Sequence, residues 1–144
     1  MNLVSPSLLI TDDDRDFRET MREVFQRQGF RVVLAGDGEE ALHIVRSQTL
    51  HLALLDMHMP RLTGLETIHR IKQLKLLLPC ILVSAGLDDV LTEQARRAEA
   101  FSVLAKPVRF ADVTGAVRLA MRETYNWRFS GDNPPAPDHD TPGK

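Results

Sequence analysis

The stretch Leu8-Leu9-Ile10-Thr11-Asp12-Asp13-Asp14 runs four apolar or β-branched residues straight into three carboxylates. An apolar run without alternating polar residues suits a strand covered on both faces. Working outward, four more such runs appear at Arg31–Ala35, Leu52–Leu55, Cys80–Ser84 and Phe101–Ala105. Between them the apolar period changes to that of a helix. Phe17, Met21, Val24 and Phe25 share one face of the first helix, and Gly29 stands just past its end as a stop. Ala41, Leu42 and Val45 mark the second, and Leu65, Ile68 and Ile71 the third. A weakly apolar fourth covers Asp88–Ala98, and Val113, Val117 and Met121 mark the fifth. Five β/α alternations predict an α/β, doubly wound, five-stranded parallel sheet with helices on both faces. Right-handed crossovers leave few topologies; one is the flavodoxin-like order 2-1-3-4-5, whose ligands sit beyond the carboxyl ends of the strands.

The rest of the composition fits one such domain. The chain has 144 residues, 43% hydrophobic and 26% charged, an ordinary globular mix. Eighteen basic against twenty acidic residues give a formal charge of −2, without the basic excess of a nucleic-acid binder. The lone Cys80 excludes an internal disulfide framework and a four-cysteine zinc site. It reads as a small buried residue of the fourth strand. No run approaches the ~20 apolar residues of a membrane span, and Met1–Pro6 lacks the pattern of a signal peptide. The expected compartment is the cytoplasm, with neither membrane nor nucleic acid as a direct partner. Composition shifts once, near Tyr125. Residues 1–125 read as the domain, and residues 126–144, with four of the eight prolines, as a disordered tail. Trp127 and Phe129 are its exceptions, with apolar surface to pack on the domain.

Placed on the predicted sheet, the polar residues gather. Asp12 and Asp13 follow the first strand, Asp56 the third, Ser84 ends the fourth, and Lys106 ends the fifth before Pro107. All lie at carboxyl ends, so folding collects them at one rim. Carboxylates there repel: at about 4 Å and an effective dielectric near 20, each pair costs about 4 kcal/mol. A proton or a bound cation relieves this, and Mg²⁺ suits an all-oxygen ligand set. With Lys106 the site becomes neutral and fit to hold a phosphoryl group. Asp56, single and central, is the candidate nucleophile that becomes an aspartyl phosphate. Ser84 can donate a hydrogen bond to the phosphoryl oxygens.

Those residues also carry a resemblance. Leu9–Asp14, Leu55–Pro60 with Gly64, Val83-Ser84-Ala85 and Ala105-Lys106-Pro107 resemble, in order and spacing, the receiver domain of bacterial response regulators over about residues 6–124. The resemblance implies that Asp56 is the phosphoacceptor. It implies Asp13 as a direct Mg²⁺ ligand, Asp12 as a ligand through water, and the His58 backbone carbonyl as a further ligand. Ser84 takes the place of the switch hydroxyl and Lys106 that of the lysine contacting the phosphoryl group. The donor would be a histidine kinase or a phosphotransfer protein. Output would pass to another protein, or to a second copy through the fourth helix, fifth strand and fifth helix. The chain is expected to be a stand-alone receiver, a phosphoacceptor rather than an enzyme acting on other molecules. Two departures stand out. Val103 occupies the usual switch-aromatic position, three before Lys106, and His58 and Gly86 occupy positions that tend to tune phosphoryl lifetime.

Other readings compete. A binding module that keeps this fold without phosphorylation is favoured by Val103 and opposed by the intact Asp13, Asp56, Ser84 and Lys106. A small phosphatase of related fold would want Thr or Val where Asp16 stands. Asp12-x-Asp14-x-Asp16 with Glu23 echoes a calcium loop but has Phe17 at the glycine position. Gly36-x-Gly38-x-x-Ala41 imitates a dinucleotide fingerprint, yet Glu39 and Glu40 stand where pyrophosphate would bind. Asp12 and Asp13 read singly as helix caps, and Arg15, Arg18 and Arg22 as an exposed strip available for kinase docking. His43, His51 and His69 read as solvated or capping.

Overall fold

The structure, a computed structural model, describes residues 5–129. Ten elements alternate along the chain: β1 (Ser7–Thr11), α1 (Arg15–Arg27), β2 (Arg31–Ala35), α2 (Gly38–Ser47), β3 (Leu52–Asp56), α3 (Gly64–Leu74), β4 (Cys80–Ser84), α4 (Asp89–Arg97), β5 (Ser102–Ala105) and α5 (Phe110–Tyr125). The strands form one parallel sheet in the order β2-β1-β3-β4-β5, the predicted doubly wound topology.

The apolar runs are continuous because both faces of the sheet are covered. Leu8 and Ile10 pack with Met21 and Phe25 of α1 and Val113, Val117 and Met121 of α5. Leu9, between them in sequence, points the other way, among Leu42, Ile68, Ile71, Leu91 and Ala95 of α2, α3 and α4. Successive strand residues face opposite sides, so a strand buried twice needs apolar residues throughout. Cys80 is fully buried on β4, and burial pushes its thiol up to about 12.

Short polar side chains set where helices begin. Asp14 accepts from the Asp16 and Phe17 N–H groups at the start of α1. Asp37 caps α2 through the Glu40 N–H, and Asp88 caps α4 through the Leu91 N–H. Thr63 and Glu66 form a reciprocal capping box on α3. Each such cap contributes about 1 kcal/mol. At the other end of α1, Gly29 takes φ +97°, a conformation costly for residues with a Cβ.

Several expectations are adjusted. Phe101 precedes β5 rather than starting it, although its N–H already bonds the Cys80 carbonyl at 2.7 Å. The packed unit runs past Tyr125. Asn126 turns the chain in the left-handed region, and the buried Phe129 ring lies 5.4 Å from that of Phe30. The remainder of the expected tail, residues 130–144, lies outside the described residues. The arginine strip is not uniformly exposed. Arg15 is, but Arg18 and Arg22 are half-buried, and Arg18 donates to the Asp12 carbonyl at 2.8 Å. His43 and His69 are exposed, whereas His51 is half-buried and accepts the Ser7 N–H on Nδ1 at 2.9 Å. No helix among the described residues is long and apolar enough to cross a membrane.

Candidate functional site

Strand register builds the site. Thr11 pairs with Leu55, so the next residues, Asp12 and Asp56, emerge side by side. Asp56 pairs with Val83, and Ser84 therefore stands one residue further out. Ser84 pairs with Ala105, which puts Lys106 one residue beyond that. A lysine two steps above the carboxylates has the length to reach back over them. Its Nζ lies 3.1 Å from Asp12 Oδ2 and 3.2 Å from Asp56 Oδ1. The carboxylate oxygens of Asp12, Asp13 and Asp56 all fall within 4.8 Å of one another.

Burial makes the charges matter. Asp12 is 1% exposed and Asp56 5%, while Asp13 is open to solvent. Burial pushes the Asp12 carboxyl above its ordinary range, and the Asp56 charge pushes the same way. The Asp14 N–H and the Lys106 ammonium pull it back. Burial alone would lower Lys106. Its hydrogen bond to Asp12 and the charges of Asp12 and Asp56 outweigh that and hold the ammonium above its ordinary value. Three carboxylates against one ammonium leave two negative charges, and a divalent cation would cancel them. The donor set is oxygen only, partly buried and converging on one point, so it fits a hard ion such as Mg²⁺.

The surrounding backbone holds these groups in place. The Gly64 N–H bonds the Met57 carbonyl at 2.9 Å, folding the β3–α3 loop back over the strand end. A Cβ on Gly64 would collide with the Asp56 carbonyl and come within 2.8 Å of Leu82 Cδ1. Lys106 also sits 4.8 Å above the Phe17 ring, and the Lys106–Pro107 bond is cis. Ser84 is fully buried. Its Oγ accepts the Gly86 N–H at 3.1 Å and lies 3.4 Å from His58 Nε2.

The imitating motifs resolve into structure. Asp16 and Phe17 are already helical, and Asp14 is spent as a cap, so no calcium loop forms. Gly38 lies where a Cβ would strike Thr67 and come within 2.8 Å of Leu62 Cβ. The Glu40 carboxylate accepts the Gly36 N–H at 2.7 Å, occupying the place a pyrophosphate would need. Gly64 already belongs to the Asp56 motif, whereas the supporting roles of Arg18, read as part of an exposed strip, and Phe17, read only as apolar helix face, are not legible in the sequence.

The chain matches the response regulator receiver domain family over residues 8–118. It belongs to that family, the receiver domains of two-component response regulators. It is 36% identical over 100 residues to a response regulator receiver protein of Anaeromyxobacter sp., an alignment covering 69% of this chain and 42% of that protein. It shares the fold of a CheY-like receiver domain from Methanospirillum hungatei, with TM-score 0.82 and 22% identity over 85% of this chain and 98% of that one. It also resembles the response regulator TrrA of Thermotoga maritima, solved in complex with Mg²⁺ and BeF, with TM-score 0.73 and 29% identity over 80% of this chain and 98% of that one. The chain spans about half the length of the curated relatives it matches.

Proposed function

We propose that the chain is a magnesium-dependent phosphoacceptor, taking a phosphoryl group on Asp56 from the phosphohistidine of a histidine kinase or phosphotransfer protein. The observation that carries this reading is Lys106 Nζ held at 3.1 and 3.2 Å between the buried carboxylates of Asp12 and Asp56. An ammonium so placed can hold an oxygen of a phosphoryl group arriving at Asp56. Asp12, Asp13 and Asp56 would hold Mg²⁺, with the His58 backbone carbonyl as a further ligand; bound there, it neutralises charge on the phosphoryl oxygens. The complex of TrrA with Mg²⁺ and BeF supports this use of the fold.

In the transfer, an Asp56 carboxylate oxygen attacks phosphorus and forms an acyl phosphate as the donor's P–N bond breaks. The bonding pair stays on the donor imidazole, which takes up a proton. Lys106 and the Ser84 hydroxyl donate to the transferred group, and positioning and electrostatics supply most of the catalysis. On this reading the chain catalyses only its own phosphorylation and dephosphorylation, in the cytoplasm. Its output runs through protein contacts rather than nucleic acid. The α4–β5–α5 face is the proposed surface, for a downstream protein or a second copy; Val90 of α4 and Leu119 of α5 are exposed.

Intact mass after incubation with Mg²⁺ and acetyl phosphate tests the reading. One added phosphoryl group is expected, absent without Mg²⁺ and absent in Asp56→Asn. Absence of both this adduct and a beryllofluoride complex would leave a binding module that does not use phosphorylation. Turnover of a phosphate ester on another molecule, abolished in Asp12→Asn, would instead mark a phosphatase.

A further inference from the structure

Ser84 Oγ is fully buried and already accepts one hydrogen, from the Gly86 N–H at 3.1 Å. Its own proton is free to point elsewhere. His58 Nε2 lies 3.4 Å away, and the ring tautomer decides which of the two donates. An imidazole nitrogen accepts only when it carries no proton, so a hydroxyl that donates here requires the ring proton on Nδ1, whereas a ring protonated on Nε2 would donate to Oγ instead. The imidazole hangs from the β3–α3 loop, two residues beyond Asp56, and reaches across to β4. The ring lies beside Gly86, where a Cβ would stand at an ordinary contact distance of 3.6 Å from Nε2. On the neighbouring strand, Val103 packs among the apolar residues facing α4 and offers the hydroxyl no polar partner.

We propose that His58 is the positioning residue of the Ser84 hydroxyl. Its Nε2 holds the hydroxyl toward the β3–α3 loop, and phosphorylation exchanges that acceptor for a phosphoryl oxygen. The second half rests on the phosphoacceptor reading above. No bond to a heavy atom changes in the exchange; the hydroxyl keeps its proton and turns. The imidazole and the phosphoryl group therefore compete for one O–H. The switch in this chain joins β4 to the β3–α3 loop rather than to a side chain of β5.

Competition predicts a sign. Losing one such hydrogen bond changes an equilibrium roughly two- to tenfold. His58→Ala should therefore tighten beryllofluoride binding, measured by calorimetry in Mg²⁺, by roughly that factor. In a Ser84→Ala background the same substitution should change nothing, because no hydroxyl remains to be released. His58→Gln, whose amide oxygen restores an acceptor, should return toward wild type. An equal change in both backgrounds, or weaker binding in His58→Ala alone, overturns the proposal. A second readout needs no phosphoryl chemistry. Nitrogen-15 spectra of the neutral imidazole without Mg²⁺ should show Nδ1–H in wild type and a mixture of tautomers in Ser84→Ala. An Nε2–H ring in wild type overturns the proposal. If no variant binds beryllofluoride the phosphoacceptor reading falls, and the ring spectra alone decide the Ser84–His58 pair.

Discussion

Lys106 Nζ stands 3.1 Å from Asp12 Oδ2, although 94 residues separate the two in the chain. The same nitrogen serves Asp56 at 3.2 Å. One cation thus answers two buried carboxylates, with Asp13 beside them. A site short of positive charge is held together by the rest of the fold, whose stability it lowers. That is the expected trade at a place built to receive a cation and a phosphoryl group.

Asp12→Asn should therefore stabilise the protein in magnesium-free buffer at neutral pH. Removing one buried negative charge from the cluster should raise Tm by a few degrees, on the order of 1 kcal/mol. The rise in Tm that Mg²⁺ gives wild type should shrink in the variant, because a ligand is gone. Calorimetry with chelator and with Mg²⁺ measures both. A variant melting below wild type in chelator would show that the Lys106 contact outweighs the repulsion.

Two glycines should respond with opposite signs. Gly64→Ala drives a methyl group into the Asp56 backbone and against Leu82. Overpacking of this kind costs about 1–3 kcal/mol, and here it also displaces the phosphoacceptor, so phosphorylation should slow along with the loss of stability. Gly115 lies exposed within α5, with nothing near its would-be Cβ. Gly115→Ala should stabilise by about 0.5–1 kcal/mol through helix propensity alone. Urea titrations of both variants decide this; equal effects would mean the close approach at Gly64 is relieved by backbone movement.

The rim of the sheet was legible in the sequence for a physical reason. A parallel sheet sends every carboxyl end to one side, so Asp12, Asp56, Ser84 and Lys106 had to meet once the apolar runs were recognised as strands. Pairings that depend on side-chain direction were not legible. Arg18 reads as one of three surface arginines, and nothing local indicates that it folds back on the Asp12 carbonyl. The Ser84–His58 contact joins the end of β4 to the β3–α3 loop, a pairing that sequence spacing does not reveal. His51 reads as solvated or capping, whereas it is half-buried. Its partner is the Ser7 N–H at the start of β1, 44 residues away.

Residues 126–129 divide along the same line. They group with the polar, proline-rich residues 130–144, but Trp127 and Phe129 already stand out as apolar exceptions, and their rings pack on the core. Phe129 packs on Phe30, and the Arg118 guanidinium lies 5.1 Å over its ring. Phe129→Ala should cost about 3–5 kcal/mol, as for other buried phenylalanines, and lower Tm by roughly 10–15 °C. A melting temperature within a degree or so of wild type would show that the domain ends at Tyr125.

His51 ties the stability of the fold to pH. Its Nδ1 accepts the Ser7 N–H at 2.9 Å, and its carbonyl accepts the Tyr125 hydroxyl at 2.7 Å. The Tyr125 ring stands edge-on 5.5 Å away, and Arg31 of β2 bonds Ser7 Oγ beside it. Burial, then the charge of Arg31, hold the imidazole below its ordinary value of 6.5. Protonation would also deprive the Ser7 N–H of its acceptor. The unfolded chain therefore binds this proton more readily than the folded one, and stability must fall as pH drops below about 6.5. Above that value both states are neutral at this position, and its contribution is constant. In His51→Asn the amide oxygen can take the place of Nδ1 but does not titrate. Urea stabilities from about pH 8 to pH 5 should diverge below 6.5, wild type losing more than the variant. Parallel curves would mean that His51 keeps its ordinary value in the fold and that the Ser7 contact opens at little cost.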